Sequence, residues 1–308
     1  MQLLYFLEGI RMPGLNEFML AITTLGEETA FLVIALIVFW CVDKRRGYFL
    51  MSVGFLGTMV NQFLKLWFRI PRPWVLDENF TILEQAREAA SGYSFPSGHT
   101  TSAVGTFGSI AASSESRRTR ILCVSIAALV GLSRMYVGVH TPKDVLVGAL
   151  TSIVLIFALR KLTLEGSHNA ILILIAGMIA MAVGLLVFVV LYPFPADVDA
   201  HNLQSGIKNA YTLLGSLLGV AVVYLVEYKY IRFDTKACWW AQILKVVLGL
   251  VLVLLVKEGL RGPLDGIFDG HYAARTVRYF LVVLTAGALW PMSFRWFSRL
   301  GRKEDKTQ

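Results

Sequence analysis

Between His168 and Leu191 the chain carries no Asp, Glu, Lys or Arg, and this stretch is one of about nine long apolar runs. Crossing a bilayer core takes roughly 20 predominantly apolar residues. In lipid a backbone must satisfy its own polar groups, which a helix does within one segment. The runs fall at about 28–42, 47–68, 98–114, 119–138, 143–162, 168–191, 206–226, 239–259 and 275–296. They predict an all-α, polytopic transmembrane helical bundle. A hydrophobic content of 56% and a mean hydropathy of +0.62 set the chain apart from a soluble domain. Two runs are weak. The first is short unless it begins nearer Glu17, and Thr100–Ser116 is rich in Ser, Thr, Gly and Ala. Gly105 and Ser109, four residues apart, suit close helix contact, so this run is expected to be an interior helix.

The net charge of +8 would suit a nucleic-acid partner, but its placement points to a membrane instead. Basic residues concentrate in loops at 44–46, 117–120, 160–161 and 229–236 and in the tail at 295–306, which together hold more than half of the 29 Lys and Arg. These loops alternate along the chain, and by the positive-inside rule they are cytoplasmic. The N-terminus is then outside and the C-terminus inside, in a multi-pass protein of the cell (inner) membrane. Met1–Met12 lacks the basic start and apolar stretch of a cleavable signal and reads as a short interfacial helix. Cys41, Cys123 and Cys238 lie in or beside apolar runs without metal-ligand spacing, so neither a disulfide framework nor a zinc site is expected.

Three segments carry most of the chemistry, and the predicted topology puts all of them at the outer face. In the first, Lys65 and Arg72 stand seven residues apart, close to two helical turns, with Pro71 and Pro73 expected to end the helix. Alone, the two cations read equally well as a helix end snorkelling to headgroups. Arg69 and Trp74 beside them read as interfacial anchors. In the second, Pro96-Ser97-Gly98-His99, Ser97 suits a helix N-cap and Gly98 allows close backbone approach. The free N–H groups of that helix start attract phosphate, and His99 is placed to protonate a departing oxygen. In the third, Arg134 brings a forked guanidinium, His140 a second imidazole and Asp144 a carboxylate, with Ser133 a further possible donor. Thr141-Pro142-Lys143-Asp144 also reads as a helix start, so Asp144 is either an orienting carboxylate or a cap.

The order and spacing, Lys-x6-Arg-Pro, Pro-Ser-Gly-His and Ser-Arg-x5-His-x3-Asp, resemble the type 2 phosphatidic acid phosphatase family over roughly residues 28–162. The resemblance implies a metal-independent phosphatase without a cofactor. His140 would be the nucleophile, forming a transient phosphohistidine, His99 the general acid and Asp144 the group orienting His140. Lys65, Arg72, Ser97, Gly98 and Arg134 would bind the phosphate. It also implies a six-helix core, placed here at 28–191 after an N-terminal interfacial segment 1–27, with about three extra helices in a transmembrane extension at 192–308. Such an extension is similar in layout to sphingosine-phosphate phosphatases and to glucose-6-phosphatase. The extension's outer loops carry Asp197, Asp199, Glu258, Arg261, Asp265 and Asp269, mostly solvated, with one or two expected at the substrate entrance. The expected substrates are lipid phosphate monoesters or diphosphates: phosphatidic acid, phosphatidylglycerophosphate, undecaprenyl diphosphate or sphingoid-base phosphates. A lipid phosphotransferase would use the same residues. An anion transporter is a third reading, disfavoured because the cations cluster at one face and no inverted repeat is visible. His168, His201 and His271 are assigned no role.

Overall fold

The computed structural model describes residues 1–300 apart from 88, 89, 91 and 197. Asp197 and the tail cations Arg302, Lys303 and Lys306 therefore lie outside the described residues. The helices in chain order are α1 (Gln2–Gly9), α2 (Pro13–Thr24), α3 (Glu28–Ile37), α4 (Lys44–Phe68), the single turn α5 (Pro73–Leu76), α6 (Gly98–Ser113), α7 (Arg117–Tyr136) and α8 (Pro142–Leu164). They continue with α9 (His168–Leu191), α10 (Ala200–Val226), α11 (Trp239–Gly259), α12 (Arg261–Ile267), α13 (Ala273–Leu284) and the short α14 (Phe294–Phe297). Wider π-helical turns at Val38–Val42, Glu227–Ile231 and Thr285–Leu289 extend α3, α10 and α13.

Among the described residues, seven helical segments are long and apolar enough to cross a membrane, or eight if α2 and α3, bent by 55°, form one span. The nine apolar runs correspond to these seven, the bent pair and α6. The two weak runs are the two unusual elements. The first reaches spanning length only if α2 joins it across the 55° bend. The second, α6, is only 16 residues long and packs between α4, α7 and α8. Its small residues permit that position: Gly105 faces Val53 of α4 and Ser152 of α8. On the α8 side the approach is closer still. A Cβ on Gly148 would lie 2.7 Å from the Ser97 carbonyl oxygen, a distance only glycine avoids.

The helix ends sort into two groups. At one end Lys44 pairs with Glu227 at 2.6 Å, Arg45 Nη1 donates to Leu164 O at 2.9 Å, and Thr235 Oγ1 donates to Val42 O. At the other end the motif loops bond to one another: Ser94 N to Ile70 O, Ser97 N to Asp144 O, and Leu83 N to Val137 O. The basic loops and the motifs thus occupy opposite ends of the bundle. Leu4 and Leu7 of α1 are buried, Leu4 against Phe80 and Ile82 and Leu7 against Tyr136 and Val137, so the N-terminal segment covers the motif end.

The extension is not a separate body. One buried apolar cluster joins Phe39, Tyr48, Met59 and Leu66 to Ile175 and Leu185 of α9, Leu213 and Leu217 of α10, and Phe294. Polar contacts reinforce the seam: Trp40 Nε1 donates to Ala286 O, and the buried Lys245 ammonium donates to Trp40 O over the ring of Phe294.

Candidate active site

In the first motif the helix ends even earlier than its prolines suggest. α4 stops at Phe68, where Arg69 takes a left-handed conformation (φ 50°) and its N–H closes on Lys65 O. Pro71 disfavours helical geometry at Ile70, so the helix ends upstream of both prolines. Arg72 then reaches inward from an extended segment. Its Nε donates to Gly92 O at 3.0 Å and its Nη1 to Val139 O at 2.9 Å. Arg69 bonds Leu66 O of its own helix. Trp74 is a platform rather than a free anchor, with Arg72 and Arg87 over its ring. Lys65 donates to the Tyr93 carbonyl.

The second motif forms the start of α6 as its spacing predicts. Ser97 Oγ accepts from Thr100 N and from Thr100 Oγ1. Its hydroxyl is therefore occupied by capping, and it is Gly98 and His99 that line the adjoining cavity. His99 Nε2 is buried without a hydrogen-bond partner.

The third motif places His140 between α7 and α8. Arg72 Nη1 stands 3.0 Å from His140 Nε2. A guanidinium only donates, so Nε2 accepts and the ring proton sits on Nδ1. That nitrogen faces Asp144 Oδ2 at 3.6 Å, too long for a direct hydrogen bond. Ser94 closes the gap. Its Oγ lies 2.5 Å from Asp144 Oδ2 and 3.5 Å from Nδ1, in a fully buried position. Asp144 Oδ2 also accepts from Thr141 N, completing a reciprocal capping box, so the carboxylate caps α8 and faces the imidazole at once. Burial, and then the cations Arg72, Arg134 and Lys65, hold His140 well below the ordinary imidazole range. It is accordingly neutral at physiological pH, with a lone pair on Nε2.

Arg134 is fully buried. Its Nη1 donates to Thr23 Oγ1 at 2.6 Å, while Nε and Nη2 have no protein partner. It stands behind the cavity wall rather than in it. Ser133 Oγ returns to Val130 O of its own helix. Lys65, Arg72, Gly98, His99 and His140 line one cavity of about 450 Å³. The two imidazoles and two of the cations thus face a common space, with the third cation and the carboxylate just outside it. Among the described residues no three His, Cys, Asp or Glu side chains gather to hold a metal ion. The set can bind an oxyanion, attack it with a neutral imidazole and exchange a proton through a second one.

Three contributors were not legible as site residues: Ser94, Thr23 and Asn209. Asn209 of α10 lines the cavity and is the point where the extension reaches it. The extension's outer-loop charges do not line it among the described residues. Asp199 instead caps α10, accepting from Asn202 N. His168, without an assigned role, stacks on Tyr228 and bonds the Tyr224 hydroxyl group at the basic end.

The sequence matches the PAP2 superfamily over residues 46–168, and a PAP2 superfamily phosphatase transmembrane extension over residues 211–303. Phosphatidylglycerophosphatase B of Bacillus subtilis (strain 168) is 32% identical over 164 residues, which are 49% of this chain and 76% of that protein. Undecaprenyl-diphosphatase BcrC of the same organism is 32% identical over 129 residues, 42% of this chain and 64% of its own length. A probable sphingosine-1-phosphate phosphatase of Dictyostelium discoideum is 30% identical over 165 residues, 49% and 39% of the two chains. No solved structure matches significantly.

Proposed function

The chain belongs to the PAP2 superfamily, and from that premise we propose that this multi-pass membrane phosphoric ester hydrolase releases phosphate from lipid phosphate esters through a phosphohistidine on His140. The observation that carries this reading is the setting of His140 in the cavity, with Nε2 held by Arg72 and Nδ1 turned to Ser94 and Asp144. The substrate phosphate lies between Lys65, Arg72 and the first turn of α6, and the unpartnered Nε and Nη2 of Arg134 supply further donors from behind. Arg72 turns to the phosphate oxygens and uncovers Nε2. The Nε2 lone pair then attacks phosphorus, the bond from phosphorus to the lipid oxygen breaks, and His99, entering this step as the imidazolium beside the bound phosphate dianion, gives that oxygen its proton. Asp144, through Ser94, stabilises the charge that develops on the ring. Water next attacks the phosphohistidine, His99 takes its proton, and phosphate leaves with His140 neutral again. Cations and N–H donors fixed in advance stabilise the equatorial oxygens.

The names of the relatives support a lipid substrate such as phosphatidylglycerophosphate, undecaprenyl diphosphate or a sphingoid-base phosphate, and the family resemblance adds phosphatidic acid. We place the site at the outer face of the cell membrane and the C-terminus in the cytoplasm, because the basic loops gather at the opposite end of the bundle. Residues 28–191 form the catalytic core and 192–308 the extension, whose described residues pack on it.

The purified chain should release phosphate from at least one lipid of this panel with no acceptor alcohol and with EDTA present. Activity that disappears with EDTA and returns with a divalent ion would overturn the metal-free mechanism. Release only on addition of an alcohol would make it a transferase. In sealed right-side-out vesicles, a water-soluble short-chain substrate added outside should be hydrolysed before permeabilisation; hydrolysis only afterwards would reverse the orientation.

Ser94→Ala should lower kcat about ten- to a hundredfold, the scale of one buried hydrogen bond to a charged group, and Ser94→Thr should restore much of it. Unchanged kcat in Ser94→Ala would remove the hydroxyl from the mechanism.

A further inference from the structure

Polar side chains line the cavity well beyond the phosphate-binding set. It follows α4 from Lys65 to Gly54, about 16 Å at the helical rise. A Cβ on Gly54 would meet the ring of Phe31, which closes that end. Phe31 is the one hydrocarbon side chain among its described lining residues; the others are polar or glycine. Burying hydrocarbon against amides and carboxylates costs those groups hydrogen bonds to water. A substrate group that donates hydrogen bonds is therefore better matched to these side chains than a hydrocarbon tail is.

The polar groups beyond the phosphate-binding set have a definite character. Glu28 of α3 contributes a carboxylate, and Gln62 of α4 and Asn209 of α10 contribute amides. Gln62 and Asn209 also border a side recess of about 60 Å³ next to Lys65, whose walls include Leu66, Tyr93, Asn202 and Ser205. That space suits one or two small polar groups, a water occupying about 30 Å³. The cations Arg275 and Lys257 of the extension stand near enough to act on the charge of Glu28, but they do not line the cavity. A second phosphoryl group beyond the first would meet the carboxylates of Glu27 and Glu28. A hydroxyl or ammonium group would find acceptors there, because an ionised carboxylate only accepts.

We propose that Glu28, Gln62 and Asn209 form a subsite for a hydrogen-bond-donating group, hydroxyl or ammonium, carried by the substrate close to its phosphate. This rests on the hydrolase reading above and selects within it. Phosphomonoesters of polyol or amino-alcohol lipids are favoured over phosphatidic acid, which lacks such a donor, and over prenyl diphosphates. It also gives the extension a part in the chemistry, since Asn209 belongs to it.

The test compares kcat/KM of the purified full-length chain, in detergent micelles, on four substrates. These are phosphatidylglycerophosphate, a sphingoid-base phosphate, phosphatidic acid and a prenyl diphosphate. The parent should prefer the donor-bearing pair. Asn209→Leu and Glu28→Gln should each lower the ratio of kcat/KM on the preferred donor-bearing lipid to that on phosphatidic acid by tenfold or more, mainly through KM. A ratio that stays within twofold in both variants overturns the subsite, and so does a parent preference for the diphosphate. Loss of activity on both substrates in equal proportion also overturns it, marking the residues as structural. A parent that releases phosphate from none of the four overturns the hydrolase reading itself, a result distinct from the others.

Discussion

His140→Ala should abolish phosphate release, by more than about 10⁴-fold, the scale seen when a nucleophile is removed. The protein should still insert and fold. The ring's neighbours are a hydroxyl, a carboxylate and a guanidinium, each with other partners: Asp144 keeps Thr141, and Arg72 keeps Gly92 and Val139. Rapid quench with radiolabelled substrate should trap a base-stable, acid-labile phosphoenzyme in the parent and none in the variant. The pH dependence follows from the environment of His140. Burial and three cations lower its proton affinity, so the reactive neutral form persists as pH falls through the ordinary imidazole value of about 6.5. The acid limb of kcat/KM assigned to this group should therefore lie below that value. Parent-like turnover by His140→Ala would end the mechanism.

Arg72→Ala should lower kcat/KM about 10²- to 10³-fold, by analogy with the loss of one oxyanion-hole donor, roughly 3–4 kcal/mol of barrier. Arg72 has two tasks: it is placed to clamp the phosphate, and its bond to Nε2 fixes the tautomer of His140. Lysine at 72 keeps the charge and loses the fork, so Arg72→Lys should recover only part of the loss. Steady-state kinetics on both variants, with monodispersity by size exclusion as the folding control, reads the effect. Full activity in Arg72→Ala would place the phosphate elsewhere.

Much of this arrangement was legible because it is local. The apolar runs named the helices, Ser97 announced the cap of α6 and Thr141-Pro142-Lys143-Asp144 that of α8. The convergence of Lys65, Arg72, His99 and His140 on one cavity was legible from motif order and from the alternation of basic loops. What escaped was set by contacts between distant segments. Ser94 meets Asp144 across 50 positions and Thr23 meets Arg134 across 111, and no periodicity announces such partners. Arg72 shares a cavity with Lys65 but not through helical spacing, because the left-handed Arg69 ends the helix before either proline. Asn209 was hidden in an ordinary apolar span, where one amide among aliphatic residues reads as packing.

Gly148 has a consequence for chimeras among relatives. The backbone of α8 touches the Ser97 turn there, and Ser97 N bonds the carbonyl of Asp144 a few residues away. The turn that opens α6 and the first two turns of α8 are therefore seated on each other without a side chain between them. Transplanting either alone misplaces the other by the width of the mismatch, so the smallest portable piece of this catalytic apparatus is the pair.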